Sequence, residues 1–314
     1  MAERLMKEVF VETVREYMRK DEKIVFIDAD LAKCIGSNKL WEEFPDRTFD
    51  VGIAEANMAS IGAGFSAYGY KPIITSFAPF ATRRMADQIM ISLAYAKQNA
   101  VIVGTDPGIC AELNGGTHMP LEDIGILRSI PNIKIYEPTD NIELEAIMPE
   151  IMKFDGIVYV RLNRKNPPIV YEGRKANFAL TKADVMEEGS DVTIIASGIM
   201  VSTALEARES LLNDGIKAEV ICCHTVKPID EETILNSVKK TGAVVTVENH
   251  NVMGALRSAV CEVLCENYPA PLESIGVKEK FGEVGKMPYL RKQFGMETID
   301  VINAVKKVIE RKGN

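Results

Sequence analysis

The strongest constraint in this sequence is its rhythm, in which short apolar runs alternate with stretches of helical period. KIVFIDADL (residues 23–31), TFDVGI (48–53), KPIITSF (71–77), NAVIVGT (99–105), NIKIYEP (132–138) and GIVYVRL (156–162) each read as a buried strand. Between them, residues 3–19 place Met6, Phe10, Val14 and Tyr17 at helical spacing, and residues 54–69 read as a helix rich in small residues. A longer helix is predicted over 79–98, with Pro79 near its start, and another over 139–154, capped by Thr139 or Asp140. Apolar strands separated by helices imply a parallel sheet covered on both faces. The second half repeats the pattern, with strands at 190–198, 216–223, 242–249 and 272–277 and helices at about 200–213, 230–240, 253–267 and 298–311. The expected fold is α/β: two parallel-sheet domains over 1–170 and 188–314, with 171–187 as linker. The stretch NRKNPPIVYEGRK, which opens the crossing at Asn163, has two prolines and no helical period.

Composition narrows the function. With 314 residues, 46% apolar and 26% charged, the chain has material for two cores and excludes a disordered or disulfide-stapled protein. A net charge of −8 and a pI near 5.2 exclude a broad nucleic-acid surface. No uncharged apolar run reaches the roughly 18 residues of a membrane span. The opening MAERLMKEVFVETVREYMRK is charged throughout, so no leader and a cytoplasmic location are expected. Cys34, Cys110, Cys222, Cys223, Cys261 and Cys265 make no CxxC pair and are expected to be reduced thiols. The three histidines form no HxxxH and no sequence cluster with cysteine, so no dedicated transition-metal site is expected.

Three segments carry candidate chemistry. Glu55 is a lone carboxylate in an apolar, small-residue stretch where a strand gives way to a helix. Read alone, it is equally a helix N-terminal acid stabilised by the dipole. Phe77 and Phe80 follow another strand, where ligands of parallel sheets bind, and could stack on a flat heterocycle or simply fill the core. The loop Asn114-Gly115-Gly116-Thr117-His118 pairs glycines that permit close backbone approach with an imidazole suited to proton transfer. A single loop histidine is, on its own, more often a surface residue.

In this order, each after a strand of one sheet, these segments resemble the C-terminal half of transketolase, and its relative 1-deoxy-xylulose-5-phosphate synthase. DVGIAEANM, TSFAPF, GGTHMPLEDIGILRSIPNIKIYEPTD and VKPID with VTVENHNVMG carry the likeness from about residue 4 to 310. The resemblance implies a thiamine-diphosphate enzyme that moves a two-carbon ketol unit from a ketose to an aldose. Glu55 matches the glutamate that hydrogen-bonds N1′ of the cofactor's aminopyrimidine, and thereby promotes loss of the thiazolium C2 proton. Phe77 matches the aromatic stacked on that ring, with Phe80 beside it. His118 matches the histidine facing C2 and the sugar hydroxyls. Arg164 matches an arginine that binds substrate phosphate.

The departures are as informative. Asn114 stands where the family has an aspartate that contacts a substrate hydroxyl. By ungapped count Asp106 stands where the family has a histidine, and an acid there would repel a phosphate. No arginine occurs in DADLAKCIGSNK, leaving Lys33 or Lys39 as substitutes. The resemblance therefore implies a non-standard sugar. No Gly-Asp-Gly segment occurs, although the family uses one to hold the diphosphate through Mg²⁺. An N-terminal partner subunit is expected to supply that site, in an α2β2 heterotetramer. The alternatives are a β subunit of a 2-oxoacid dehydrogenase E1 component, a 1-deoxy-xylulose-5-phosphate-synthase-like enzyme, and a non-catalytic binding protein on the same fold.

Overall fold

A computed structural model describes residues 4–165, 167–176 and 178–313. Twelve strands occur among them: β1 (Ile24–Asp28), β2 (Thr48–Asp50), β3 (Lys71–Phe77), β4 (Ala100–Thr105), β5 (Ile133–Tyr136), β6 (Ile157–Leu162), β7 (Asp184–Glu187), β8 (Val192–Ala196), β9 (Ala218–Cys222), β10 (Thr225–Lys227), β11 (Val244–Asn251) and β12 (Leu272–Val277). They form a seven-stranded sheet ordered β10-β5-β6-β4-β3-β1-β2 and a five-stranded sheet ordered β12-β11-β8-β9-β7. Every pairing is parallel except β10 with β5 and β7 with β9.

The apolar strands are buried because helices cover both faces. On one face of the larger sheet, Met6, Phe10 and Val14 of helix Met6–Lys20 pack with Leu144 and Ile147 of helix Asn141–Lys153. On the other, Met58 of helix Glu55–Ala67 packs with Ile89 and Leu93. Asp140, rather than Thr139, caps helix Asn141–Lys153 by accepting from the Ile142 and Glu143 amides.

Several expectations are corrected. The helix expected over 79–98 is broken into a 3-10 turn at Arg83–Met85, a single α turn at Ala86–Gln88 and a π-helical stretch at Ile89–Tyr95. Its start is diverted into a turn, where the Phe80 and Ala81 amides both donate to Phe77 O. Residues 184–187, at the end of the expected linker, form edge strand β7. Thr225–Lys227, read as connection, leave the second domain and extend the first domain's sheet. Helix Met287–Phe294 was also unexpected.

The two domains meet over a buried polar junction. Arg161 of β6 is 1% exposed, and is among the largest fully buried side chains. Its Nε donates to Asp123 Oδ2 at 2.8 Å, its Nη1 to Glu137 Oε1 at 2.6 Å, and its Nη2 to the Asn249 carbonyl at 2.8 Å. Tyr159 Oη donates to Asp123 Oδ2 at 2.8 Å, and Ser197 Oγ to Glu137 Oε2 at 2.9 Å. Burial pushes the Asp123 carboxyl up, but Arg161 and His250 outweigh it and hold Asp123 below its ordinary value. At Glu137 burial wins and the carboxyl is raised. Burial lowers His250 to about 4, so it is neutral near pH 7. One guanidinium thus sits against two buried carboxyls, one held down and the other raised.

Arg161→Met should therefore cost about 3–5 kcal/mol, because it strands buried carboxylates. Urea unfolding followed by circular dichroism measures this, and a loss below about 1 kcal/mol would show that the junction does not rest on Arg161.

Candidate active site

Strand direction brings the three sequence-marked segments together. Glu55 opens its helix just after β2, Phe77 ends β3, Asp106 follows β4, and Arg164 follows β6. All lie at the carboxyl ends of parallel strands, where the sheet leaves loops free to bind ligands.

Glu55 is 2% exposed. Both of its oxygens accept from Arg84 Nη1, at 2.7 and 2.8 Å, and Ser76 Oγ lies 3.5 Å from Oε1. The Arg84 guanidinium also lies 3.8 Å from the centre of the Phe80 ring. His118 meets both phenylalanines edge-on, its ring centre 5.6 Å from that of Phe77 and 5.1 Å from that of Phe80. All three aromatic side chains are partly exposed, so they line a surface that a ligand can reach.

Asp106 is buried and does not stand free. Its Oδ2 accepts from Arg164 Nε at 2.7 Å and from Arg164 Nη2. The acid expected to repel a phosphate is thus ion-paired, and it neutralises the arginine beside it. Burial disfavours the Arg164 charge, but Asp106 outweighs it and raises the guanidinium above its ordinary value. Asp106 Oδ1 is buried without a hydrogen-bond partner among the described residues. The Arg164 guanidinium lies 5.0 Å from the Phe77 ring centre. Asn166, the end of the NRKN segment, lies outside the described residues.

The glycine pair does what close approach requires. A Cβ on Gly116 would sit 2.4 Å from the Gly282 carbonyl oxygen, and Gly115 has φ 76°. The loop is further held by Glu112, which accepts from Met287 N at 3.0 Å and pairs with Lys165. Thr117 Oγ1 lies 2.9 Å from His118 Nδ1, and Arg83 donates to Thr117 O at 3.2 Å and to Glu122 Oε1 at 2.7 Å. Asn249 of the second domain bonds Pro107 O at 3.0 Å and the Ile109 amide at 2.9 Å, fixing the start of this segment. Asn114 is exposed at its tip. Lys33 and Lys39 are both exposed; Lys33 lines a recess with Asp30, Asn38 and Trp41, whereas Lys39 does not.

Sequence reasoning missed Arg84, the partner of Glu55, although an Arg-Arg pair in an apolar stretch was a visible signal. It also missed a buried grouping. Glu143, Cys222 and His224, dispersed in sequence, come within 4.8 Å of one another, so cysteine and histidine do cluster in space. His224 Nδ1 lies 2.8 Å from Glu143 Oε1, and Glu143 Oε2 accepts from the Thr139 amide at 2.6 Å. Burial opposes the His224 charge, but Glu143 outweighs it and raises His224, while burial pushes the Cys222 thiol well up. All three groups are buried, and His224 Nε2 lies 3.0 Å from the Ala179 carbonyl oxygen.

Comparison with known proteins identifies the family. Residues 3–169 match the transketolase pyrimidine-binding domain, and residues 181–301 match the transketolase C-terminal domain. The chain is 48% identical over 312 residues to the 6-deoxy-6-sulfo-D-fructose transketolase subunit SqwH of Clostridium sp. (strain MSTE9), covering 99% of this chain and 97% of that one. It is 39% identical over 294 residues to a putative transketolase C-terminal section of Methanocaldococcus jannaschii, covering 93% and 92% of the two chains. A solved split-gene transketolase, described as an inactive β4 tetramer, superposes with a TM-score of 0.89 at 38% identity, over 98% of this chain and 99% of that one. The chain therefore belongs to the transketolase family, joining that family's pyrimidine-binding and C-terminal domains.

Proposed function

We propose that this chain is the C-terminal subunit of a two-chain transketolase, and that it binds the aminopyrimidine end of thiamine diphosphate at Glu55, Phe77 and Phe80. The single observation that carries this is the setting of Glu55. A buried carboxylate at a strand-to-helix junction is joined, through Arg84, to the partly exposed Phe80 of an aromatic cluster. That donor set fits a flat, nitrogen-bearing ring, which needs an acidic partner at its edge and apolar faces above and below. When bound, thiamine diphosphate supplies the carbon nucleophile that accepts and releases a two-carbon ketol unit.

The chain's own residues do the rest. Glu55 holds a proton against a ring nitrogen, in a place where burial strengthens the bond. Phe77 and Phe80 fix the ring plane. His118, restrained by Thr117, holds or passes a proton at a substrate hydroxyl. Asn114 offers an uncharged amide to another hydroxyl. The diphosphate and its Mg²⁺ belong to the N-terminal partner, because this sequence has no Gly-Asp-Gly segment and a diphosphate needs a counter-charge. The assembled enzyme is an α2β2 heterotetramer in the cytoplasm.

Arg164 anchors the anionic end of the sugar, but Asp106 halves what it can offer. A neutral pair suits a monoanion better than a dianion. A sulfonate carries one negative charge where a phosphate carries nearly two. The named substrate of the SqwH relative is a sulfonated ketose. A sulfonated ketose is accordingly the proposed donor.

Three outcomes are expected. The isolated chain with thiamine diphosphate and Mg²⁺ folds but transfers no ketol unit, and gains activity on addition of its N-terminal partner; full activity alone would end the split-subunit reading. In the reconstituted complex, Glu55→Gln lowers kcat/KM by about 100-fold or more while leaving the unfolding midpoint unchanged. Across a panel of sulfonated, phosphorylated and neutral ketoses, the sulfonated donor has the highest kcat/KM, and Asp106→Asn moves the ratio about tenfold toward phosphate. A preference for phosphate that Asp106→Asn leaves untouched would refute the charge argument.

A further inference from the structure

We propose that Arg84 is a built-in placeholder for the cofactor's ring, a positioning residue that occupies the site in the free subunit and must leave when the ring docks. This rests on the thiamine-diphosphate reading of Glu55 and Phe80.

The geometry supports it in three ways. First, one guanidinium nitrogen serves both oxygens of Glu55, at 2.7 and 2.8 Å, while the same group lies 3.8 Å from the centre of the Phe80 ring. Those are the two contacts that a flat amino-substituted ring would need: an N–H edge on the carboxylate and a π face on the phenylalanine. A guanidinium is itself flat and rich in N–H, so it mimics the ring in shape and in hydrogen bonding. Second, ring and guanidinium cannot hold the same carboxylate edge together. Third, Arg84 has a way out. Its side chain is 43% exposed although its carboxylate partner is 2% exposed, so the long stem reaches inward from the surface. It stands in the short 3-10 turn Arg83–Met85. Its neighbour Arg83 bonds Thr117 O and Glu122, and so pins the turn without Arg84.

The placeholder has a physical purpose. Without it the free subunit would bury a carboxylate with only a long contact to Ser76 for support. With it the site stays charge-balanced until the ring arrives. Its cost is competition: the ring binds only the fraction of molecules in which Arg84 has swung away, and apparent affinity falls by that fraction.

Calorimetric titration of thiamine diphosphate into the reconstituted two-chain enzyme tests this. Arg84→Met keeps the stem and removes the hydrogen-bonding head. It should tighten the apparent Kd about tenfold, with Arg84→Lys between it and the wild type. The free Arg84→Met subunit should also unfold at a lower temperature than the free wild type, and this gap should close once cofactor is bound. Weaker or unchanged cofactor binding by Arg84→Met would overturn the proposal, since Arg84 would then belong to the loaded pocket or stand outside it. If Arg84→Met does not fold, the Lys variant decides: tighter binding supports displacement, and equal or weaker binding refutes it. Failure of the wild-type complex to bind thiamine diphosphate at all would instead remove the functional reading on which this rests.

Discussion

The structure depends on Arg161. An unpaired guanidinium at 1% exposure would be prohibitive, so everything around it is arranged to receive it. Asp123 opens the short helix that follows the His118 loop, and Glu137 stands at the end of β5. Asn249 belongs to the second domain, and it also bonds the backbone on both sides of Gly108, where the His118 segment begins. One side chain on β6 thus ties that loop and the second domain to the strand that leads to Arg164 three residues later. A hydrophobic junction of equal volume would be no less stable. What the ionic junction adds is direction, because a guanidinium fork accepts its partners in few orientations.

The same logic of paired charge governs the site. Glu55 is matched by Arg84, Asp106 by Arg164, and Glu112 by Lys165. In each of these three pairs the base comes from a different segment of chain, whereas Asp28 and Asp50, at the ends of β1 and β2, are held by backbone amides and, at Asp28, by Ser37. Pairing leaves these arginines and acids with little net charge to offer a ligand, so hydrogen-bond geometry, aromatic faces and the charge of the ligand itself discriminate.

Much of this was legible in the sequence, for identifiable reasons. Buried parallel strands must be apolar throughout, so β1, β3, β4 and β6 announce themselves. Glu55, Phe77 and His118 stand out because they interrupt or follow such runs. The failures have causes too. The break near residue 80 comes from a turn closed on Phe77 O, which leaves no mark in helical periodicity. β10 is three residues long and pairs with a strand far away in sequence, so no local window contains the reason for it. The Arg84–Glu55, Arg164–Asp106 and His224–Glu143 pairs are tertiary facts: composition supplies the charges, but only the fold selects partners. Asp106 was read for that reason as an isolated charge instead of half of a pair with Arg164.

The placing of β10 bears on the order in which the protein can be made. Strand β5 is an inner strand of the finished sheet only because Thr225–Lys227 run antiparallel beside it. Until those residues leave the ribosome, β5 offers a row of unpaired amides and carbonyls to any neighbouring chain. The first sheet is thus completed late, after the second sheet has already received β7, β8 and β9. A nascent chain paused between residues 162 and 225 carries an almost finished domain with one open edge, and this is the stage of synthesis at which a chaperone has most to protect.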